Sequence, residues 1–391
     1  MRRAAWGLCL LWAAAGVQAR ELRTGPVRLE AAGYLKELWQ GSHSALDGRA
    51  YFLNIDRARL TVDAQASVFK AHLDYDQEVL AGSYFRTSEY RLFGLAEPGS
   101  WLDLEQTIAD SATSLWRQRL YRGWAGLETG ATALRFGRQR VAWGTGKLWN
   151  PTDVLNPTRP TAVEREERGG VDALTLRQGA GELSQAELAY APQSRWPDSA
   201  LLARLKSNWE GTDVSVMGGK VAGSTASWMM GGDFARGLWD GALHGEWSYS
   251  AAEGPRPYWR ADLGYEYSFG SEPALRWLKD AALLVEVYRN GRGTVRRGDY
   301  QRGLLATGRE VSLAKDYAGA TFSKDLHPLL KAEAVLIVNL DDGSQFFAPD
   351  LQWNALPDLT LTLGWQRFGA AKSTEFGFLA NLLYFQAQYF F

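Results

Sequence analysis

Two short runs of this chain set charges of both signs at alternate positions. In residues 51–64, Arg57, Arg59, Thr61 and Asp63 share one parity, and Ala58, Leu60, Val62 and Ala64 the other. In residues 68–78, Lys70, His72, Asp74 and Asp76 alternate with Phe69, Ala71, Leu73 and Tyr75. A period of two belongs to a strand with one apolar and one polar face. A tight turn near 65–67 makes the two runs an antiparallel hairpin, with Arg59 facing His72 or Asp74 and Arg57 facing Asp74 or Asp76. Opposite charges paired across strands stabilise a sheet by about 0.2–1 kcal/mol each. So many charges on one sheet face require that face to be wet. The ladder would then do two things: brace a wall, and offer a polar solute side-chain contacts in exchange for its hydration.

The same residues invite an enzymatic reading that the sequence does not sustain. His72, Asp74 and Asp76 resemble the Asp and His that outer-membrane proteases use at a barrel rim, but Arg57 and Arg59 neutralise the acids. The His-x-Ser that would resemble an outer-membrane phospholipase is missing. His43, His72, His244 and His327 show no metal-ligand spacing, and neither a P-loop nor a dinucleotide-binding glycine pattern occurs. No enzyme, cofactor or metal is therefore expected.

The elements that would position the ladder follow from the rest of the chain. Arg2 and Arg3, an apolar run from Ala4 to about Val17, and Val17-Gln18-Ala19 have the form of a cleaved secretory signal peptide over 1–19. Residues 20–391 then form the mature protein. The one cysteine of the sequence, Cys9, lies in the signal and is removed with it, so disulfides and thiolate chemistry are excluded from the mature protein. A net charge of -1 with no basic block excludes nucleic acid as a partner. The 41 Gly and 49 aromatic residues (17 Trp, 16 Tyr, 16 Phe) suit a barrel of short turns with interfacial aromatic girdles.

Strands are expected at 27–39, 51–64, 68–78, 116–128, 132–142, 170–178, 183–191, 200–210, 212–220, 225–235, 240–250, 257–268, 281–290, 314–323, 330–340, 344–354, 358–369 and 375–391, with 116–128 mixing polar and apolar residues on both parities so that its facing stays unassigned. In 240–250, Leu243, Gly245, Trp247 and Tyr249 oppose His244, Glu246 and Ser248. In 257–268, Trp259, Ala261, Leu263, Tyr265 and Tyr267 oppose Arg260, Asp262, Gly264 and Glu266. At the C-terminus, Leu383, Phe385, Ala387, Tyr389 and Phe391 form an apolar parity ending on an aromatic residue. An exposed apolar edge there would be a liability in a soluble sheet, but is useful if it faces lipid and closes against the first strand. The fold class expected is all-β: a transmembrane antiparallel up-and-down barrel of about eighteen strands, with sixteen open if one hairpin is misread. Both termini would be periplasmic, and long extracellular connections would fall at 81–114, 143–168 and 291–313.

One connection carries further signal. A strand with Arg135 and Gln139 on its inward parity runs into Trp143-Gly144-Thr145-Gly146-Lys147, then Asn150-Pro151-Thr152-Asp153-Val154-Leu155-Asn156-Pro157. Two Asn-Pro steps and two glycines make a stiff, turn-rich loop. The G-R-Q strand end, W-G-x-G and N-P-x-D-x-x-N-P resemble the third-hairpin region of bacterial outer-membrane porin-like proteins of the alginate-export and related families. That resemblance implies an eighteen-stranded or similar barrel that passes polar or elongated solutes.

The expectation is a porin-like channel in the outer membrane, passing small hydrophilic solutes, charged ones included, by passive diffusion. The 143–168 loop would fold inward as a constriction, with Lys147, Arg159, Arg165 and Arg168 opposing Asp153, Glu164, Glu166 and Glu167. Arg138 and Arg140 would sit near the outer rim, on lipid headgroups or in solvent. Outer-membrane lipid and lipopolysaccharide are the expected surroundings. Homo-oligomerisation and a periplasmic partner are left open. The alternative is a barrel sleeve for a partner protein such as a periplasmic electron carrier.

Overall fold

A computed structural model describes residues 20–94, 101–157, 159–165, 167, 169–221, 228–251, 256–270, 275–306 and 310–391. The expected signal peptide at 1–19, with Glu166 and Arg168, lies outside them. Twenty strands form one sheet. They are β1 (Arg20–Thr24), β2 (Val27–His43), β3 (Ala50–Ala66), β4 (Phe69–Gly82), β5 (Glu105–Ser111), β6 (Ser114–Thr129) and β7 (Thr132–Gln139). After a long loop come β8 (Val171–Ala180), β9 (Ser184–Ala191), β10 (Ala200–Trp209), β11 (Thr212–Lys220), β12 (Trp228–Leu238), β13 (Gly241–Ala251) and β14 (Tyr258–Ser268). The last six are β15 (Ala281–Asn290), β16 (Asp316–His327), β17 (Leu330–Asn339), β18 (Gln345–Leu356), β19 (Leu359–Gly369) and β20 (Leu382–Phe390).

Eighteen of these, β2 to β4 and β6 to β20, pair antiparallel in sequence order, and β20 pairs with β2 to close the cylinder. Closure leaves no free edge, which a strand-based membrane span requires. Outward side chains such as Leu60, Phe69, Phe136, Val216, Leu263 and Leu383 are exposed, while their sequence neighbours point inward. The outside is therefore an apolar belt and the inside is polar, as in barrels that cross membranes. Among the described residues no helix is long and apolar enough to cross a membrane.

The remaining two strands are additions that sequence alternation does not reveal. β1 folds back on β2 and covers the part of its edge that β20 does not reach, with Arg20 opposite Ala31. β5 lies on the outer half of β6, from Ser114 to Arg119, because β7 pairs only with Gly123 to Thr129 before the chain leaves the wall. All seven residues of β5 are exposed, so it has no apolar face for a pattern to show. The same connection holds the short helix α1 (Ser88–Phe93), N-capped by the Thr87 hydroxyl. A second, α2 (Arg302–Ala306), lies in the connection after β15.

Two expectations are corrected. The final strand starts at Leu382, not at Glu375; residues 375–381 belong to the mouth, where Glu375 is buried and receives hydrogen bonds from Tyr317 and Asn339. The β3–β4 turn is Ser67-Val68, with Ser67 at φ 54°, since β3 runs on to Ala66. Facing pairs therefore shift by two residues: Arg59 faces Asp76 and Arg57 faces Glu78, with parity unchanged.

The seam relies on the last residue. The Phe391 amide donates to the Gly33 carbonyl at 3.0 Å, and the Gly33 amide donates back to the Phe391 carbonyl at 2.8 Å. Deleting Phe391 is expected to lower the yield of closed barrel, read as loss of the fast-migrating folded band on unheated gels. An undiminished band would show that the seam does not need this pair.

Candidate functional site

The lumen is organised by an inward loop held between charged walls. On β3, β4 and β6 the alternation delivers Arg57, Arg59, Asp76, Glu78, Arg117 and Arg119 to one interior patch. The Arg59 guanidinium forks onto Asp76 at 2.6 and 2.7 Å. Arg57 and Arg117 each bond a different oxygen of Glu78, at 2.6 and 2.7 Å, and Arg119 donates to it at 3.0 Å. Asp76 and Glu78 are fully buried, so these are desolvated pairs whose value depends on every arm being met. A bulge at Asp74/Tyr75 leaves Tyr121 without a cross-strand partner; its ring lies 3.9 Å from the Arg59 guanidinium carbon.

Residues 140–170 close onto this patch from within. Glu164 accepts from Arg57 at 3.0 and 3.2 Å and from Lys36 at 2.7 Å. Glu167 accepts from Arg59 at 2.9 Å and from the Tyr34 hydroxyl at 2.8 Å. Burial pushes both carboxyls up, but Arg57, Lys36 and Arg59 outweigh it and hold them below the usual carboxylate range. On the other side of the loop, Arg165 donates to Glu333 on β17 at 3.0 Å and lies 3.6 Å from Asp350 on β18. The loop thus has acids against one wall and a base against another.

Its first half is held differently. Backbone amides of Thr145, Gly146 and Thr152, with the Thr152 hydroxyl at 2.8 Å, all donate to the Glu246 carboxylate. Lys147, Leu148 and Trp149 amides donate to Glu286 at 2.7, 2.8 and 3.4 Å. Trp149 stacks on Tyr288 with ring centroids 5.3 Å apart. The W-G-x-G run therefore has a physical reason: Gly144 sits at φ +106°, and a Cβ there would lie 2.5 Å from a Glu246 oxygen. Between the loop, β5 and β6 lies a cavity of about 1030 Å³, lined among others by Glu105, Arg117, Arg119, Ala162 and Arg165.

The expected site residues divide accordingly. Arg57, Arg59 and Asp76 meet in the buried lattice. His72 and Asp74 lie lower on β4, with His72 2.8 Å from Asp63 and 3.1 Å from Asp74, and Thr61 donating to Asp74 at 2.7 Å. Arg135 is away from the loop: it pairs with Glu128 beside the β6–β7 turn and packs on Trp124, 4.1 Å from its ring. Gln139 is buried and serves the wall, donating to the Ala173 carbonyl at 3.0 Å and accepting from Thr175 at 2.9 Å. Asp153 is buried inside the loop, where it accepts from the Asn156 amide at 3.0 Å, while the Lys147 side chain is exposed. Arg138, expected at lipid or solvent, is instead buried and forks onto Asp172 at 2.9 and 3.1 Å.

Sequence reasoning missed Glu78, Arg117, Arg119, Lys36, Glu246 and Glu286 as partners. Glu246 stood on the inward parity of a clean strand without an obvious counter-charge. That was the available signal, but an acid bound by loop amides needs no basic partner in the sequence.

No family model matches this chain, and no curated protein matches it. Solved structures do. It is similar to Pseudomonas aeruginosa OccD3 (OpdP), with a TM-score of 0.55 and 11% identity over 96% of this chain and 93% of that one. Acinetobacter baumannii OccAB1 gives 0.56 and 9% over 93% and 96%. Pseudomonas aeruginosa OpdK, solved with vanillate, gives 0.56 and 11% over 93% and 98%. The chain shares the barrel fold of these proteins. At such low identity the likeness is one of architecture, and its own residues must carry the rest.

Removing one member of the buried lattice leaves uncompensated charge. Glu78→Ala is expected to destabilise the barrel by about 3–5 kcal/mol, measured by urea unfolding in lipid vesicles; a loss under about 1 kcal/mol would mean that water already screens the three arginines. At the mouth, burial pushes the Glu375 carboxyl up to about 7, above its ordinary 4.5. The folded state therefore favours the protonated acid, and this contribution is full below about 4.5 and lost as pH rises through about 7. The melting temperature should fall between pH 5.5 and pH 8, and Glu375→Gln should flatten that fall. An unchanged slope in the variant would contradict the assignment.

Proposed function

We propose that this protein is a passive outer-membrane channel for small hydrophilic solutes, charged ones included, with the 143–168 loop as its constriction. The observation that carries the reading is the inward loop, tethered to opposite walls of a closed barrel: Glu164 and Glu167 hold it to β2 and β3, and its own backbone amides hold it to Glu246 on β13. An eighteen-strand barrel is wide enough for an aqueous lumen, and an inward segment sets how much of that width remains. Acids and bases both line the cavity beside the loop, Glu105, Glu164 and Glu167 with Arg117, Arg159 and Arg165, and a lining of mixed sign favours hydrated polar solutes over apolar ones. Arg57, Arg59, Asp74 and Asp76 belong to the wall of this path, and Arg135 to its periplasmic mouth.

Within this reading, 1–19 directs export and is removed, and 20–391 is the barrel in lipid and lipopolysaccharide. The resemblance of 137–157 to alginate-export and related porin-like proteins supports extending the solute class to elongated polar molecules. Vanillate, present in the OpdK structure, is a sensible first solute to test because it joins a carboxylate to an aromatic ring. His72 and Asp74 carry no catalytic role: each is taken up by Asp63, Thr61 or the other. The chain's own loop engages the walls that a partner protein would have to grip, which favours a channel over a sleeve. Homo-oligomerisation is compatible with either.

Purified protein in planar bilayers should show discrete conductance steps. Replacing Glu164 and Glu167 together by Gln frees one side of the loop and is expected to raise the step size and add flicker. A folded wild type with neither conductance nor solute flux would sink the proposal.

A further inference from the structure

We propose that His244, Asp262 and Glu286 bind a divalent first-row transition-metal ion where the inward loop meets the wall. The three side chains come from adjacent strands β13, β14 and β15, and one ligand atom from each lies within 4.8 Å of the others. All three residues are buried. Asp262 supplies the independent sign of a ligand: it is only 4% exposed, and neither carboxylate oxygen has a hydrogen-bond partner. A buried carboxylate with both oxygens unmet is costly unless something cationic or a proton completes it. Its direct cross-strand neighbour is Glu246, and Glu286 is close by, so three acids crowd one patch. Among the described residues, none of the three is ion-paired to a lysine or arginine.

The surroundings are shaped for this meeting. Gly264 lies between His244 and Glu286 in the same rung of the sheet. A Cβ there would fall 2.3 Å from His244 Nε2 and 2.7 Å from Glu286 Cγ, so only glycine lets the two converge. His244 Nε2 stands 2.9 Å from Glu286 Oε1, where an ion would replace the proton now shared between them. Both oxygens of Glu246 and of Glu286 already accept from the loop, Glu286 Oε1 from Lys147 and Oε2 from Leu148, which fixes the carboxylates as outer-shell partners do in metal sites. One imidazole with carboxylate oxygens suits Zn²⁺ or Mn²⁺ better than Mg²⁺ or Ca²⁺, which favour oxygen alone. Such an ion would neutralise the acids that clasp the loop and so hold the constriction in place.

The test uses the whole mature barrel, refolded in detergent after chelation and dialysed against ZnCl₂ or MnCl₂, with metal content measured by mass spectrometry. About one ion per chain should be retained, with Mg²⁺ and Ca²⁺ failing to displace it. Asp262→Asn should weaken retention by at least about tenfold, the scale already seen when outer-shell partners are lost, whereas His327→Gln at a distant rim should not. Folding of each variant is checked by its heat-dependent gel shift; if Asp262→Asn does not fold, His244→Gln is read in the same way. Wild type that folds and retains neither ion overturns the proposal. Retention unchanged in a folded Asp262→Asn variant, or equally lost in His327→Gln, overturns it as well.

Discussion

The interior of this barrel depends on one kind of interaction: buried carboxylates that must be met from across the lumen. Glu164 and Glu167 reach from the loop to Lys36, Arg57 and Arg59; Glu246 and Glu286 reach from the wall to loop amides. The two sets are complementary. In the first, the loop brings the acid and the wall the cation. In the second, the wall brings the acid and the loop its backbone dipoles. An unmet acid in either place would carry the full cost of desolvation. The loop is therefore fixed by electrostatics at both of its halves, with Trp149 against Tyr288 adding an apolar anchor.

In the proposed channel this arrangement ties stability to function. The residues that satisfy the wall are the same ones that would narrow the lumen, so the proposed constriction is an extension of the wall's own ion-pair lattice. The departure of the chain at Gln139 also explains β5: once the loop leaves the cylinder, the outer edge of β6 needs another strand, and a wholly exposed polar segment supplies it. The inward loop and the extra strand are two consequences of one early exit from the sheet.

Much of the fold was legible because a barrel in lipid enforces strict alternation. Most of the wall strands, the inward parity of Arg57, Arg59 and Asp76, and closure of the last strand on the first follow from period-two patterning; β6, with polar and apolar residues on both parities, does not. Register was harder. Ser67 and Val68 form a tighter and later turn than composition suggested, and this moved Arg59 from Asp74 to Asp76. Arg138 was misread because parity distinguishes the two faces of a strand but not what lies over them; the segment at Leu102, whose carbonyl takes one of its hydrogen bonds, covers it. Asp153 looked like a lumen charge, yet the Asn-Pro steps that flagged the loop also use Asp153 internally, as an acceptor for Asn156.

The central claim is that residues 140–170 stand in the conduction path. The expected mature chain has no cysteine, so one placed at Ala162, which lines the cavity beside β5 and β6, would be its only thiol. A bulky, charged, membrane-impermeant thiol reagent added to a bilayer holding Ala162→Cys should reduce the current in discrete, reductant-reversible steps, with wild type unaffected. A conducting Ala162→Cys barrel that is fully labelled and carries unchanged current would contradict the account.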